Sequence, residues 1–369
     1  MKKRLRPDLI GRVVVRGANW VGDAVMTVPA LREIRRVLPG AHITLATRAW
    51  AEGIFEGADF LDDIVAVEES KGTARSVWRE AREWRARSFD LAVLFPNAFA
   101  PALVAALART PARVGYTTQG RGALLTHALP VPDWRGLRHE VYYYLNIVAE
   151  LERMLGGALT AESREPRAEL VVSEPRRVSA REFLRGRGAR ADSSLVALCP
   201  GSTNSRAKRW PAERFAALAD ILVEKLGTDV ALVGAREELD VSEDVARRMR
   251  ARPIVLTGET ELGETAAVLS VADMLVTNDT GPAHVAAAVG CPVVVIFGPT
   301  NPVTTRPFSP LAEVVREPPD CAPCMLRDCP IDHRCMTTIT VESVFERVSR
   351  ILEARGAASA SRDRVEVAR

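Results

Sequence analysis

Short runs of β-branched residues alternate with longer amphipathic segments along almost the whole chain, and this alternation restricts the fold more than any other feature. In the first half the runs predict strands at 12–15, 43–46, 64–67, 91–95 and 113–116, with helical patterns between them, of which 76–86 is the clearest. Short apolar strands that alternate with helices are typical of parallel sheets covered by helices on both faces.

The second half repeats the pattern, with predicted strands at 195–198, 230–233, 254–256, 274–276 and 293–297 and helices at 211–226, 239–250, 262–271 and 281–289. Because 369 residues exceed the usual size of one hydrophobic core, the two sets predict two doubly wound, Rossmann-like α/β domains. We place them at 1–170 and 171–340, with the boundary in the Gly-, Arg-, Glu- and Pro-rich stretch 156–190. Such domains bind ligands at the carboxyl ends of their strands, so an active site is expected in a cleft between them.

The end of the chain departs from this pattern. A helical segment at 341–355 has no strand after it, and one interpretation is that it packs back on the N-terminal domain. The remaining residues, 356–369, are small, polar and charged, a composition that predicts a disordered tail.

The composition, with 47% apolar and 26% charged residues, is that of an ordinary globular protein. The apolar stretch near the start is interrupted at Arg16, and the longest apolar run, 98–108, is too short to cross a bilayer, so a cytoplasmic protein is predicted. Residues 1–150 carry 21 Lys and Arg against 16 Asp and Glu. This excess indicates peripheral contact with an anionic membrane, contact with an acidic acceptor, or ordinary scatter of charge. Nucleic acid is not an expected partner, since aromatics are 5% and do not interleave with a basic stripe.

The first loop with chemical potential is 16–23, directly after the first predicted strand. Gly17 and Gly22 allow a tight turn, and Asp23 follows near the start of the next helix. Its carboxylate is interpreted either as a helix N-cap or as a general base that projects into the cleft. Pro29 must either kink the following helix or begin a new one.

The second loop, residues 199–211, is called the cationic loop below. It leaves a predicted strand and enters a helix at Pro211, and it contains Gly201, small hydroxyl residues and three cations within four positions. Backbone amides, the hydroxyls of Ser202 and Thr203 and the charge of Lys208 together suit a diphosphate. The order of residues is not that of a P-loop.

The third loop again joins a strand to a helix. Thr280 and Gly281 present backbone N–H groups at the predicted helix start, which is a common place for an anion. His284 lies about one turn further on, where it either reaches the same ligand or serves as a structural histidine. Asp279 beside a phosphate is electrostatically unfavourable unless it binds sugar hydroxyls instead. Two anion-suited loops in one domain and a carboxylate loop in the other indicate a nucleotide-sugar transferase.

These segments resemble family 9 of the glycosyltransferases, the ADP-heptose:lipopolysaccharide heptosyltransferases, over about 12–348. The motifs that carry the resemblance are Trp-Val-Gly-Asp at 20–23, Met-Thr-Val-Pro-Ala-Leu at 26–31, Pro-Gly-Ser at 200–202, Lys-Arg-Trp-Pro at 208–211, Asn-Asp-Thr-Gly-Pro-Ala-His at 278–284 and Gly-Pro-Thr at 298–300. Within the family the chain is most similar to the enzymes that add the second heptose. The resemblance implies a GT-B fold, an acceptor-binding N-terminal domain, a donor-binding C-terminal domain and inverting transfer of heptose.

The resemblance also implies roles for single residues. Asp23 is expected to deprotonate the acceptor hydroxyl, and Lys208, with Ser202 and Thr203, to hold the diphosphate of ADP-heptose. The remaining donor residues that it implies are Asp279 on heptose hydroxyls, the amides of Thr280 and Gly281 on phosphate, His284, and Glu237 or its neighbour Glu238 on the ribose. Because a lysine and helix-end amides can stabilise the leaving ADP, no cofactor or divalent metal is required for catalysis.

The acceptor site is less defined by the sequence. Gly22, Arg48, Arg113 and Arg121 lie near predicted loops and strand ends of the basic half and are candidates for contacting the acceptor; each arginine is otherwise ordinary surface. The acceptor implied by the resemblance is lipid A–Kdo–heptose, and no obligate protein partner is inferred. Other readings are a different GT-B transferase, a nucleotide-sugar epimerase, or a non-enzymatic metal- or nucleotide-binding module.

Four cysteines, Cys321, Cys324, Cys329 and Cys335, lie within a proline-rich segment that also contains His333. The Cys-x2-Cys pair is half of a common tetrahedral zinc site, whereas the spacing of the second pair is irregular. The segment is therefore interpreted either as a structural zinc site or as reduced or redox-labile thiols.

Overall fold

Each predicted series of strands forms one six-stranded parallel sheet in the computed structural model, which describes residues 4–67, 73–157, 160–161 and 163–367. The chain divides into two units, Met1–Val171 and Val172–Arg369. The expectation of two doubly wound, Rossmann-like α/β units is confirmed.

The first unit contains the strands β1 (Arg12–Arg16), β2 (His42–Arg48), β3 (Asp63–Val67), β4 (Leu91–Leu94), β5 (Ala112–Tyr116) and β6 (His127–Leu129). Its helices are α1 (Val21–Met26), α2 (Val28–Val37), α3 (Glu52–Phe55), α4 (Ala74–Arg87), α5 (Phe99–Leu107) and α6 (Glu140–Met154). The sheet order β3-β2-β1-β4-β5-β6 reverses direction between β1 and β4, and the carboxyl ends of these two strands mark the position where such folds bind ligands.

The sheet of the first unit is buried because its central strands are apolar on both faces. Val13, Val14 and Val15 of β1 have no exposed surface, and β4 is buried throughout. On one face the fully buried ring of Trp84 packs edge-on against Phe89, with 6.1 Å between ring centroids. Burial of this kind fixes the strand register and therefore the positions of the loops.

The second unit contains the strands β7 (Leu195–Cys199), β8 (Asp229–Leu232), β9 (Ile254–Val255), β10 (Met274–Asn278), β11 (Val293–Ile296) and β12 (Ala312–Val315). Its helices are α7 (Glu174–Gly186), α8 (Ala212–Leu226), α9 (Leu239–Arg248), α10 (Leu262–Val271), α11 (Gly281–Ala288), α12 (Pro302–Thr305), α13 (Arg334–Thr337) and α14 (Val341–Val367). The order β12-β11-β10-β7-β8-β9 is that of the first sheet, with its reversal between β7 and β10.

Helix α14 belongs to the core of the second unit. Val344 and Val348 are fully buried in the same apolar cluster as Trp210 and Phe215, whose rings meet edge-on. One interpretation of the sequence was that this helix packs on the N-terminal domain. In the structure its buried side lies against α8, β11 and β12 of the second unit. The helix also continues to Val367, into the segment expected to be a disordered tail; 368–369 lie outside the described residues.

Two local features differ from the sequence expectations or decide between them. Pro29 begins a new helix rather than kinking an existing one, since α1 ends at Met26 and Pro29 lies in the first turn of α2. Each sheet has a sixth strand, β6 or β12, that the pattern of apolar runs does not predict.

In the described part of the chain, no helix is both long and apolar enough to cross a membrane.

Candidate active site

The loops after β7 and β10 are joined by the side chain of Asn278, at the point where the second sheet reverses its order. Asn278 has no exposed surface. Its Nδ2 donates to the carbonyl oxygens of Pro200 (2.8 Å) and Gly201 (3.2 Å), and its Oδ1 accepts from the backbone N–H of Trp210 (2.9 Å). One amide thus ties both ends of the cationic loop to the end of β10.

Lys208 and Asp279 form an ion pair at this junction. The Lys208 Nζ donates to the Asp279 carboxylate at 2.8 Å and to its backbone carbonyl at 3.0 Å. The Asp279 side chain is nearly buried and also accepts a hydrogen bond from Thr300 Oγ1 at 2.7 Å. The ammonium group therefore balances the charge of Asp279, and the expected electrostatic conflict between Asp279 and a nearby phosphate is reduced.

The start of the cationic loop lies against the loop that follows β8. Thr203 Oγ1 donates to Glu238 Oε1 (3.1 Å), and the backbone N–H of Ala235 donates to Glu238 Oε2 (3.0 Å). Glu238 is buried, while its neighbour Glu237 is exposed. Ser202 is buried as well, and its carbonyl oxygen accepts from the guanidinium of Arg209 at 3.1 Å. Of the two glutamates expected near the ribose, the structure brings Glu238, and not Glu237, into contact with Thr203.

Helix α11 begins at Gly281, so Thr280 is its N-cap residue and the first backbone N–H groups lie at the same junction. Thr280 is held by its hydroxyl, which lies 3.2 Å from Thr277 Oγ1. His284 lies in the buried side of this helix and is 5% exposed. Unpaired amides and the helix dipole make such a terminus favourable for an anion.

In the first unit, Asp23 lies in the first turn of α1, one residue beyond Gly22. The N-cap position belongs to Trp20, so Asp23 is not the N-cap that one interpretation made it. The Tyr144 hydroxyl is hydrogen-bonded to the Asp23 side chain, and burial, followed by the charges of Asp23 and Glu140, raises the pKa of Tyr144 well above its ordinary value. The hydroxyl is therefore a hydrogen-bond donor at neutral pH.

Glu140 places a second carboxylate near Asp23. It begins α6, one turn before Tyr144, and burial raises its pKa, an effect that Arg135 opposes and Asp23 reinforces. Two carboxylates in one partly buried region disfavour simultaneous ionisation. This pairing makes the region around Asp23 suitable for proton transfer.

The three arginines proposed to contact the acceptor differ in their surroundings. Arg48 is partly exposed at the carboxyl end of β2. Arg113 lies near the amino end of β5, whereas Arg48 lies at the carboxyl end of its strand. The Arg113 guanidinium donates to the carbonyls of Thr110 and Leu124, both at 2.6 Å. Arg121 is fully buried, donates to the Tyr116 carbonyl at 2.8 Å, and burial lowers its pKa to about 10. Arg121 was expected to contact the acceptor, and this expectation is corrected. Its guanidinium is buried and donates hydrogen bonds to backbone carbonyls of Tyr116 and Ala98.

The cysteine segment, residues 317–335, gives no support to the expected zinc site. Among the described residues no three His, Cys, Asp or Glu side chains are arranged to hold a metal ion. Cys321 is exposed, whereas Cys335 is buried, and burial together with the three other cysteines raises the pKa of Cys335 to about 11.

Comparison with known proteins agrees with this arrangement. The family description glycosyltransferase family 9 (heptosyltransferase) matches residues 77–334, well over half of the chain. The chain belongs to glycosyltransferase family 9. Lipopolysaccharide heptosyltransferase 2 of Salmonella typhimurium is a family 9 relative that is 27% identical over 316 residues, covering 83% of this chain and 88% of that protein.

Two solved structures extend the family 9 likeness to the fold. The ADP-heptose lipopolysaccharide heptosyltransferase II of Escherichia coli is 25% identical, with a TM-score of 0.79 over 94% of this chain and 99% of that one. A family 9 glycosyltransferase from Veillonella parvula is also 25% identical, with a TM-score of 0.82 over 96% of this chain and all of that one. The chain is a glycosyltransferase, and the resemblance inferred from the motifs is confirmed.

Several residues of this family 9 site were not assigned a role from the sequence. Asn278 and Thr300 lie inside two of the motifs that carry the family resemblance. Each follows a predicted strand, and that position could have indicated a role in the site. Tyr144 and Glu140 lie on a helix far from Asp23 in sequence, and no local pattern connects them to it. Their contribution depends on the packing of α6 against α1.

Proposed function

We propose that this chain is an inverting heptosyltransferase that transfers L-glycero-D-manno-heptose from ADP-heptose to the inner core of lipopolysaccharide, adding heptose II onto heptose I. The observation that carries the proposal is the group formed by Lys208, Asp279 and the start of α11 at the reversal point of the second sheet, in a family 9 chain. The names of the relatives, heptosyltransferase 2 and heptosyltransferase II, support the choice of sugar and acceptor.

On this proposal the second unit binds the donor. Lys208 and the amides of Thr280 and Gly281 hold the diphosphate, with the hydroxyl of Ser202 as a further donor. The hydroxyl of Thr203, which donates to Glu238 in this structure, turns to the diphosphate when the donor binds. Asp279 accepts hydrogen bonds from heptose hydroxyls while Lys208 limits its repulsion of phosphate. His284 contacts the same ligand, and Glu237 or Glu238 accepts from the ribose at the end of β8. The positive charge and the helix-end amides stabilise the ADP that leaves.

The first unit on this proposal binds the acceptor and supplies the base. Asp23 removes the proton of the acceptor hydroxyl as the hydroxyl oxygen attacks the anomeric carbon and the bond to ADP breaks. Tyr144 holds the Asp23 carboxylate by a hydrogen bond to its ionised form, which keeps it able to accept the proton. Gly22, one residue before Asp23, and Arg48, at the carboxyl end of the strand β2 that pairs with β1, are proposed to contact the acceptor.

The acceptor proposed is lipid A–Kdo–heptose, which places the reaction at the cytoplasmic face of the inner membrane. Peripheral attachment there is favoured by exposed Leu137, next to exposed Arg135 and Arg138, in the segment before α6. An apolar side chain between cations suits a bilayer surface that carries anionic headgroups. No cofactor or metal is assigned a role in this reaction.

The experiment that tests the proposal is incubation of the purified protein with ADP-heptose and truncated acceptors that carry zero, one or two heptoses. We expect ADP release and a mass increase of one heptose with the single-heptose acceptor. Reaction with the heptose-free acceptor instead would assign the first transfer, and reaction with the two-heptose acceptor a later one. No product with any of the three, together with absence of ADP binding in calorimetry, would refute the proposal.

A further inference from the structure

The cysteine segment is bonded to the part of the cationic loop that carries Lys208. Ser205 Oγ donates to the carbonyl oxygens of Leu326 (3.3 Å) and Arg327 (3.2 Å), and the backbone N–H of Ala207 donates to the latter carbonyl at 2.9 Å. Arg206 adds an ion pair with Asp328 at 2.6 Å. The three residues before Lys208, Ser205, Arg206 and Ala207, are therefore each bonded to the cysteine segment.

His333 completes these contacts on the other side of the same peptide. Its Nε2 lies 2.6 Å from the carbonyl oxygen of Ala207. Because a carbonyl oxygen can only accept, the proton of the ring must be on Nε2. Both backbone groups of Ala207 are thus bonded to the cysteine segment, and the peptide unit between Ala207 and Lys208 has a fixed orientation.

The backbone holds the His333 ring in place. His333 has φ 55° and ψ 26°, a left-handed conformation that is uncommon except for glycine and, among other residues, Asn, Asp and His. Its N–H donates to Cys329 Sγ at 3.3 Å, and its carbonyl accepts from the N–H of Met336 at 3.0 Å. Cys335 and Met336, which follow in α13, are buried in the core of the second unit. The ring is therefore attached to the core rather than to a loose surface loop.

We infer that His333 is a positioning residue for Lys208, and that through Lys208 it sets the affinity for the diphosphate of the donor. This inference rests on the proposed function, since it takes the ligand of Lys208 to be a nucleoside diphosphate. Without the hydrogen bond from Nε2, the peptide between Ala207 and Lys208 is free to rotate and the ammonium group moves relative to Asp279. Misplacement of a charged group by about 1 Å is enough to reduce binding and turnover strongly.

The test compares two substitutions of His333. His333→Asn suits the left-handed backbone, but its short amide does not reach Ala207, whereas the longer His333→Gln places an N–H donor where Nε2 lies. We expect His333→Asn to weaken ADP binding in calorimetry about tenfold and to raise the KM for ADP-heptose similarly, with an unchanged KM for the acceptor. His333→Gln is expected to restore ADP affinity to within about threefold of the wild type.

The control is Arg334→Ala, which removes an exposed side chain from the adjacent residue, ion-paired with Asp332, and is expected to leave ADP affinity unchanged. If His333→Asn does not fold, His333→Gly takes its place, since glycine also adopts the left-handed conformation. The inference is overturned if the variant without the ring binds ADP within about twofold of the wild type, or if donor and acceptor KM rise together without rescue by His333→Gln.

Lys208→Met separates this inference from the proposed function. If Lys208→Met does not weaken ADP binding, the donor site itself is wrongly assigned. If Lys208→Met weakens ADP binding and His333→Asn does not, the donor site stands and the positioning role of His333 is refuted.

Discussion

Lys208 and Asp279 form an ion pair through which stability and the proposed ligand binding can be tested together. Their ion pair is largely removed from solvent, and Asp279 keeps only 4% of its surface exposed. Loss of one partner from such a pair leaves an uncompensated charge, which is more unfavourable than loss of both. The pair therefore has an effect on folding that can be measured without any substrate.

We expect Lys208→Met to lower the free energy of unfolding by roughly 3 kcal/mol, because the Asp279 carboxylate remains buried without its cation. The double variant Lys208→Met with Asp279→Asn is expected to recover a large part of this loss, since it removes both charges. Urea denaturation of the two single variants and the double variant gives the coupling energy. Strictly additive losses would contradict the pairing.

A second residue-scale prediction concerns Tyr144, whose hydroxyl is hydrogen-bonded to the Asp23 side chain. Tyr144→Phe removes a donor to the carboxylate, and the ionised form of Asp23 loses that stabilisation. We expect the acidic limb of the pH profile of kcat/KM to move up by roughly one pH unit. Tyr142→Phe, on the same helix, is the matched control and is expected to leave the limb in place.

Glu140→Gln provides a change of opposite sign in the same measurement. The charge of Glu140 disfavours ionisation of Asp23, so its removal is expected to move the acidic limb to lower pH. Tyr143, Tyr144 and Arg135 are the other titratable groups coupled to this region, and they are unchanged in this variant. Abolished turnover in Glu140→Gln would instead identify Glu140 as the base.

At the scale of elements, the proposed donor site lies where loops from neighbouring strands touch. Gly201, after β7, lies so close to the loop after β8 that an added Cβ would be 2.4 Å from Cδ and 2.8 Å from Cβ of Glu238. The Cβ of Glu238 is not the flexible end of a side chain, so relief of the overlap requires the loops to separate. This contact sets how closely the two loops can approach.

Gly201→Ala is therefore expected to destabilise the protein by about 2 kcal/mol and to weaken ADP binding, as overpacking does in other closely packed sites. The control is Gly186→Ala at the end of α7, where an added Cβ meets nothing within 4 Å. That substitution is expected to stabilise slightly, by about 0.5 kcal/mol, because alanine favours helix. Thermal unfolding and ADP calorimetry of both variants check the contrast.

Strand elements show where sequence patterns are informative. Four of the five predicted strands of each unit are central, and they are near-continuous apolar runs because central parallel strands are covered on both faces. The two missed strands, β6 and β12, lie at sheet edges, where β6 has three residues and β12 is partly exposed. β3 and β9 are edge strands as well, but the runs Ile-Val-Ala-Val and Ile-Val-Leu predict them. By contrast, His-Ala-Leu in β6 is short and Ala-Glu-Val-Val in β12 is interrupted by a charged residue.

At the scale of the whole molecule, the proposed base and the proposed donor residues belong to different units of the chain. Each unit has its own sheet and its own apolar core. Changes confined to Asp23 should therefore leave the donor loops, which are bonded to one another within the second unit, undisturbed.

We expect Asp23→Asn to reduce kcat by about 10² to 10⁴-fold, the range for loss of a general base, while the Kd for ADP stays within about twofold of the wild type. Asn keeps the size of the side chain but cannot accept the proton. Single-turnover kinetics and ADP calorimetry on the same preparation make the comparison. A turnover close to that of the wild type would refute the base assignment.

The amino-acid sequence alone determined the two doubly wound units, the order of most strands and helices, and the family, because buried parallel strands and strand-to-helix loops carry local patterns. It also identified the cationic loop and the Asp-Thr-Gly turn. The tertiary structure decided which side chains meet: the burial of Arg121, the pairing of Lys208 with Asp279, the hydrogen bond between Tyr144 and Asp23, and the contact of His333 with Ala207. These contacts join residues far apart along the chain, and their geometry depends on how helices and loops pack, which no local pattern records.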